Sequence, residues 1–169
     1  MWDISHFFKI YVIIYDISHF SRGATMICTF FGHRDATDKL KNKIKKTIEM
    51  LILEGVNHFY VGNNGHFDYM VQSVLTELKE AGADINFTVV VSYINEQLIR
   101  ADQKYSMYPE GLEGVPLRFA ISKRNSFMIA NSQIAVVYVR HSFSNSHKWV
   151  EKTKKSGLKV INLADEEID

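Results

Sequence analysis

The chain is short of thiols, of prolines and of net charge. Cys28 is the one cysteine in 169 residues, so no intrachain disulfide can form and thiolates cannot assemble a zinc site. A lone thiol inside an apolar run reads as packing, and a reducing cytoplasm is the simplest compartment. The two prolines, Pro109 and Pro116, are too few for Pro-rich linkers. A formal net charge of +1 lacks the cationic excess that a broad nucleic-acid footprint needs, which argues against nucleic acid as a partner. Lys39, Lys41, Lys43, Lys45 and Lys46 crowd one stretch and read as a solvated helix face. Long hydrophobic runs are missing too. The apolar stretch over residues 7–17 is broken by Lys9 and Asp16 and falls short of the roughly 20 residues a spanning helix requires. It has neither the basic start nor the small-residue cleavage site of a signal peptide. No membrane contact is expected. The seven histidines show no metal-binding spacing, so neither a metal nor a cofactor is expected.

What is present is an ordinary globular composition, 46% hydrophobic and 23% charged, at a length suited to one domain. Residues 1–25 differ from the rest. The pentapeptide Asp-Ile-Ser-His-Phe occurs twice there, at 3–7 and 16–20. The segment is read as an N-terminal extension outside the core, translated from an early start codon, or as an added element that caps the sheet or pairs subunits. A homodimer is therefore an open expectation. The working domain is placed at residues 26–164, with an acidic tail at 165–169.

From Met26 two periodicities alternate. Residues 26–31 form a continuous apolar run, as in strands buried on both faces. Leu40, Ile44, Ile48, Leu51 and Ile52 then recur at helical spacing, with Gly55 as the stop. A second strand over 56–61 precedes a helix marked by Met70, Val71, Val74, Leu75 and Leu78, closed by Gly82. A third strand is expected over 85–94, then a long irregular stretch from about 95 to 118 of the kind that often serves as a functional lid. A helix over 119–130, a fourth strand over 134–139, a helix over 146–155 closed by Gly157, and a fifth strand over 158–163 complete the pattern. This alternation predicts an α/β fold, a Rossmann-like doubly wound, mostly parallel five-stranded sheet with helices on both faces. In such sheets ligands sit beyond the carboxyl ends of the strands.

The loops after the strands are therefore the candidate site. Gly32 permits a sharp turn and close approach, Arg34 can grip a phosphate bidentately, and His33 can donate to a phosphate or move a proton. The turn Gly62, Asn63, Asn64, Gly65 lies between a strand and a helix start, where amide hydrogens and the helix dipole favour an anion. Asp68, in the first helical turn, is a dipole partner, a ribose-hydroxyl acceptor or a general base. After the fourth strand Ser142, with the hydroxyl and amide residues that follow it, can cap a helix or hold a phosphate.

Three segments taken together, Cys28-Thr29-Phe30-Phe31-Gly32-His33-Arg34, Phe59-Tyr60-Val61-Gly62-x-x-Gly65-x-Phe67-Asp68 and Arg118-Phe119-Ala120-Ile121-x-x-Arg124-Asn125-x-x-Met128, resemble the SLOG superfamily, and within it the small bacterial YpsA-like branch of unknown function. The resemblance implies a Rossmann-like fold and recognition of a nucleotide-derived ligand. Carried over by motif, Gly32, His33 and Arg34 line one side of a pocket, Gly62, Asn63, Asn64 and Asp68 form its floor, and Arg124 and Asn125 stand at its rim. The superfamily also contains phosphoribohydrolases with a Pro-Gly-Gly-x-Gly-Thr-x-x-Glu loop. This chain departs from that loop, lacking the second adjacent glycine, the threonine and the glutamate after Val61.

Three functions follow as expectations. The first is binding or sensing of a nucleotide-like, phosphate-bearing small molecule. The second is a nucleoside 5'-monophosphate N-glycosidase, a hydrolase with Asp68 activating water. The third is single-stranded nucleic-acid binding as in DprA-like proteins, with Tyr105, Tyr108 and Phe119 as stacking surfaces.

Overall fold

The computed structural model describes residues 25–93, 105–140 and 145–164. The expected extension at 1–25 except Thr25, the acidic tail, Ser142 and much of the long stretch after the third strand lie outside the described residues.

Strand β1 (Ile27–Gly32) opens the fold and leads through a 3-10 turn at Asp38–Leu40 into helix α1 (Lys41–Leu53). Then follow β2 (His58–Val61), α2 (His66–Glu80), β3 (Asn86–Val90), β4 (Ser106–Met107), α3 (Leu117–Ala130), β5 (Ile134–Tyr138), α4 (Asn145–Lys155) and β6 (Lys159–Asn162). The strands form one sheet in the order β4-β3-β2-β1-β5-β6, and every pairing is parallel.

The apolar runs become inner strands for a simple reason. A strand covered on both faces needs apolar side chains at odd and even positions alike. In β1, Cys28 and Phe30 enter the core beneath α1 and α2, while Phe31 enters the core beneath α3 and α4. In β5, Ile134, Val136 and Tyr138 face the first layer, and Ala135 and Val137, with Val139 just past the strand, face the second. Two hydrophobic layers thus sandwich one sheet. Helices α1 and α2 end at Gly55 and Gly82, both left-handed, as the sequence pattern expects.

Among the described residues the sheet has six strands, one more than expected. The extra strand, β4, lies inside the stretch read as irregular. It is two residues long and pairs only Ser106 and Met107 with β3, too short to show an alternation. Strand β3 is also shorter than expected, ending at Val90. That places Val91 and Ser92 at the carboxyl edge of the sheet, beside the loops of the candidate site.

Candidate functional site

The topology reverses at β1. The chain runs outward through β2, β3 and β4 on one side, then crosses to the other side of β1 as β5. Loops leaving β1 and β5 therefore diverge, and the crevice between them is the ligand position of open α/β sheets. Gly32 pairs with Tyr138 at the top of this seam. The His33 ring accepts a hydrogen bond at Nε2 from the backbone N–H of Arg140, at 3.3 Å. It also meets the Tyr138 ring edge-on at 5.9 Å. The Arg140 guanidinium lies over the same Tyr138 ring, 5.3 Å from its centre. One hydrogen bond thus joins the two loops. Arg34 and Arg140 are both exposed.

Beneath this seam the floor is aromatic. Phe67, from the first turn of α2, is buried and stacks on Tyr138 at 6.3 Å with 14° between the planes. It fills the space a side chain at position 32 would occupy, since a Cβ there would overlap the Phe67 ring. Gly32 is required by this close approach.

The turn after β2 is held by its own side chains. Gly65 has φ 120°, and a Cβ on it would come within 2.8 Å of Arg34 Cγ. The His66 N–H donates to the Arg34 carbonyl at 3.1 Å, and the His66 ring pairs with Asp38 at 2.7 Å. The Asn64 N–H donates to the Asp68 carboxylate at 2.9 Å. The Asn64 side-chain oxygen accepts from Arg124 Nη2 at 3.1 Å and from Ser92 Oγ at 3.2 Å. Gln72 Nε2 donates to the Gly62 carbonyl at 2.6 Å, and the Tyr69 hydroxyl reaches the Asn63 carbonyl at 3.4 Å. Two amides at the start of α2 are therefore already engaged, one of them by a carboxylate from the helix's own first turn.

Arg124 and Asp68 meet over Gly62, with Arg124 Nη1 at 3.9 Å from Asp68 Oδ2. Arg124 comes from the α3 layer and Asp68 from the α2 layer, so the pair bridges both helical layers across the end of β2. A Cβ at 62 would strike both side chains, its distance to Arg124 Cζ being 2.8 Å. Arg124 Nη1 also donates to the Val90 carbonyl at 3.3 Å. Burial pushes the Asp68 carboxyl above its ordinary range; Arg124, the Asn64 amide and Arg34 oppose the rise without cancelling it.

Arg124 and Asn125, expected at the rim, are 3% and 7% exposed. Gly32, His33, Arg34, Gly62, Asn63, Asn64, Gly65 and Asp68 all stand along the carboxyl edge of β1 and β2. Phe67, Ser92, Tyr138 and Arg140 also stand at this edge and are not among the residues expected there. For Arg140 a signal existed, an arginine directly after an apolar strand. Ser92 was hidden by placing the end of the third strand at residue 94. Among the described residues no group of three or more His, Cys, Asp or Glu side chains converges as a metal site, and no helix is long and apolar enough to cross a membrane.

No protein-family model and no curated protein matches the sequence. Among solved structures, the chain is similar to the X-ray structure of DNA processing protein A (DprA) from Streptococcus pneumoniae, with a TM-score of 0.64 and 16% identity over 86% of this chain and 52% of that one. The chain thus spans about half the length of that protein, and at this identity the likeness is one of fold, a Rossmann-like α/β arrangement around a parallel sheet.

Proposed function

We propose that the protein binds a nucleotide-like, phosphate-bearing small molecule in the crevice between the loops leaving β1 and β5. The observation that carries this reading is the join between those loops, the hydrogen bond from the Arg140 N–H to His33. It sets two exposed guanidinium-bearing residues, Arg34 and Arg140, on either side of the position where such sheets take ligands. Guanidinium groups recognise phosphate by paired hydrogen bonds. Titration calorimetry of the full chain with nucleoside mono- and diphosphates, and with the bare nucleosides, tests the proposal. Binding of phosphorylated members alone, weakened by Arg34→Gln and by Arg140→Gln, is the expected result. No heat with any nucleotide removes the reading.

The hydrolase reading has less support. Asp68 is 7% exposed and engaged by Asn64 and Arg124, a poor station for activating water. Release of free base from a nucleoside monophosphate would reinstate it.

A specific observation favours one other reading, single-stranded nucleic acid. The fold is shared with a protein named for DNA processing, and Phe119 is 50% exposed with the Arg118 guanidinium 4.7 Å from its ring centre. Such a pair suits base stacking. Fluorescence anisotropy with a single-stranded oligonucleotide at several salt concentrations decides between the two, because phosphate-chain binding weakens steeply as salt rises.

A further inference from the structure

We infer that Arg124 is the positioning residue of this site: its buried guanidinium holds the turn at 63–65, and through it Arg34, without touching the ligand. The inference rests on the binding reading above. Arg124 is 3% exposed, so it offers no surface to a molecule in the crevice. Its two Nη atoms are instead spent on the Val90 carbonyl and the Asn64 side-chain oxygen. Asn64 is gripped a second time through its backbone, by Asp68, which itself faces Arg124. One residue of the turn is thus fixed at both ends by the two members of one buried ion pair.

The fixed turn passes its position on. Gly65 lies against Arg34 so closely that a Cβ would crowd its Cα and Cγ, at 2.9 and 2.8 Å. The next residue, His66, donates its N–H to the Arg34 carbonyl. Any displacement of Asn64 therefore moves the backbone that carries Arg34. Burying a guanidinium is costly, and Arg124 Nε has no hydrogen-bond partner among the described residues. A lysine in its place would keep the charge but lose the planar fork that reaches two acceptors at once.

The test uses the full chain with Arg124→Ala, Arg124→Lys and Asn64→Ala, read by amide NMR and by calorimetry with AMP, GMP, CMP and UMP. In Arg124→Ala the amide signals of Arg34, Asn64 and Gly65 are expected to shift, and the tightest monophosphate to bind roughly tenfold or more weakly. Millimolar guanidinium chloride should restore both toward the parent values, whereas sodium chloride at equal ionic strength should not. Asn64→Ala should shift the Arg34 and Gly65 signals with the Arg124 charge intact, and Arg124→Lys should behave like the alanine variant. If a folded Arg124→Ala loses affinity with those amides unmoved, Arg124 contacts the ligand and the inference is overturned. Unmoved Arg34 and Gly65 amides in Asn64→Ala overturn it equally, and that variant carries the test should Arg124→Ala not fold. If the parent protein binds none of the four nucleotides the binding reading fails, while the amide shifts still decide whether Arg124 positions the turn.

Discussion

A methyl group added at position 62 would enter the space that the Arg124 and Asp68 side chains share. Gly62→Ala is therefore expected to destabilise the protein by about 1–3 kcal/mol, the usual cost of overpacking, lowering Tm by roughly 3–10 °C in calorimetry. His58 makes a second residue-scale prediction. Burial, and secondarily the charge of Lys79, lower its pKa from 6.5 to about 4. The unfolded chain takes up this proton near pH 6.5 while the folded protein resists it, so stability is lost as pH falls from 6.5 toward 4. About 2 kcal/mol depends on this group after allowing for its partial solvent contact. Urea unfolding of His58→Gln should show a flatter acid limb than the parent. At this scale the position of much of the candidate site at the strand ends was legible in the sequence. Gly32, His33 and Arg34 were legible because they directly follow an unbroken apolar strand. The burial of Arg124 was not, since a charged residue in a helix reads as solvent-facing until its acceptors, Val90 at the end of β3 and Asn64 in the turn after β2, are brought in from distant parts of the chain.

Helix α3 shows why an element can be legible while its orientation is not. It has Arg124 and Asn125 on its buried side with Ala120, Met128 and Ile129, while Leu117 and Phe119 stand 76% and 50% exposed in its first turn. The alternation of strands and helices led to this helix, but its polar and apolar sides are partly exchanged relative to an ordinary surface helix. The expected consequence is an unusual mutational profile. Leu117→Ser and Phe119→Ser should change folding stability by less than about 0.5 kcal/mol, whereas Met128→Ala, at a fully buried position, should cost about 2–5 kcal/mol. Chemical denaturation of the three variants distinguishes the two sides. Strand β4 was illegible for another reason. Two residues carry no alternation, and only the neighbouring β3 makes them a strand.

For the whole molecule, the sheet order concentrates protection at its centre. Strands β1 and β5 are flanked on both sides and covered by both layers, while β4 and β6 are edges. Hydrogen exchange is expected to be slowest at Cys28, Phe30, Val136 and Val137 and fastest among strand amides at Ser106 and Met107. Fast exchange in the central pair relative to the edges would contradict the described architecture. The doubly wound class could be read from the alternation of periods alone, because a strand buried on both faces and a helix buried on one leave different marks in sequence. The strand order could not be read that way, since which strand sits beside which is decided by long-range pairing.

That pairing has a cost in time. Strand β1 leaves the ribosome well before β5, so the register between them waits until residues 134–138 have emerged. Until then a thoroughly apolar segment has one lateral edge bare, the situation in which nascent chains are captured by chaperones or by each other. Slow refolding, with losses to aggregation that grow with protein concentration, is the kinetic signature this arrangement imposes.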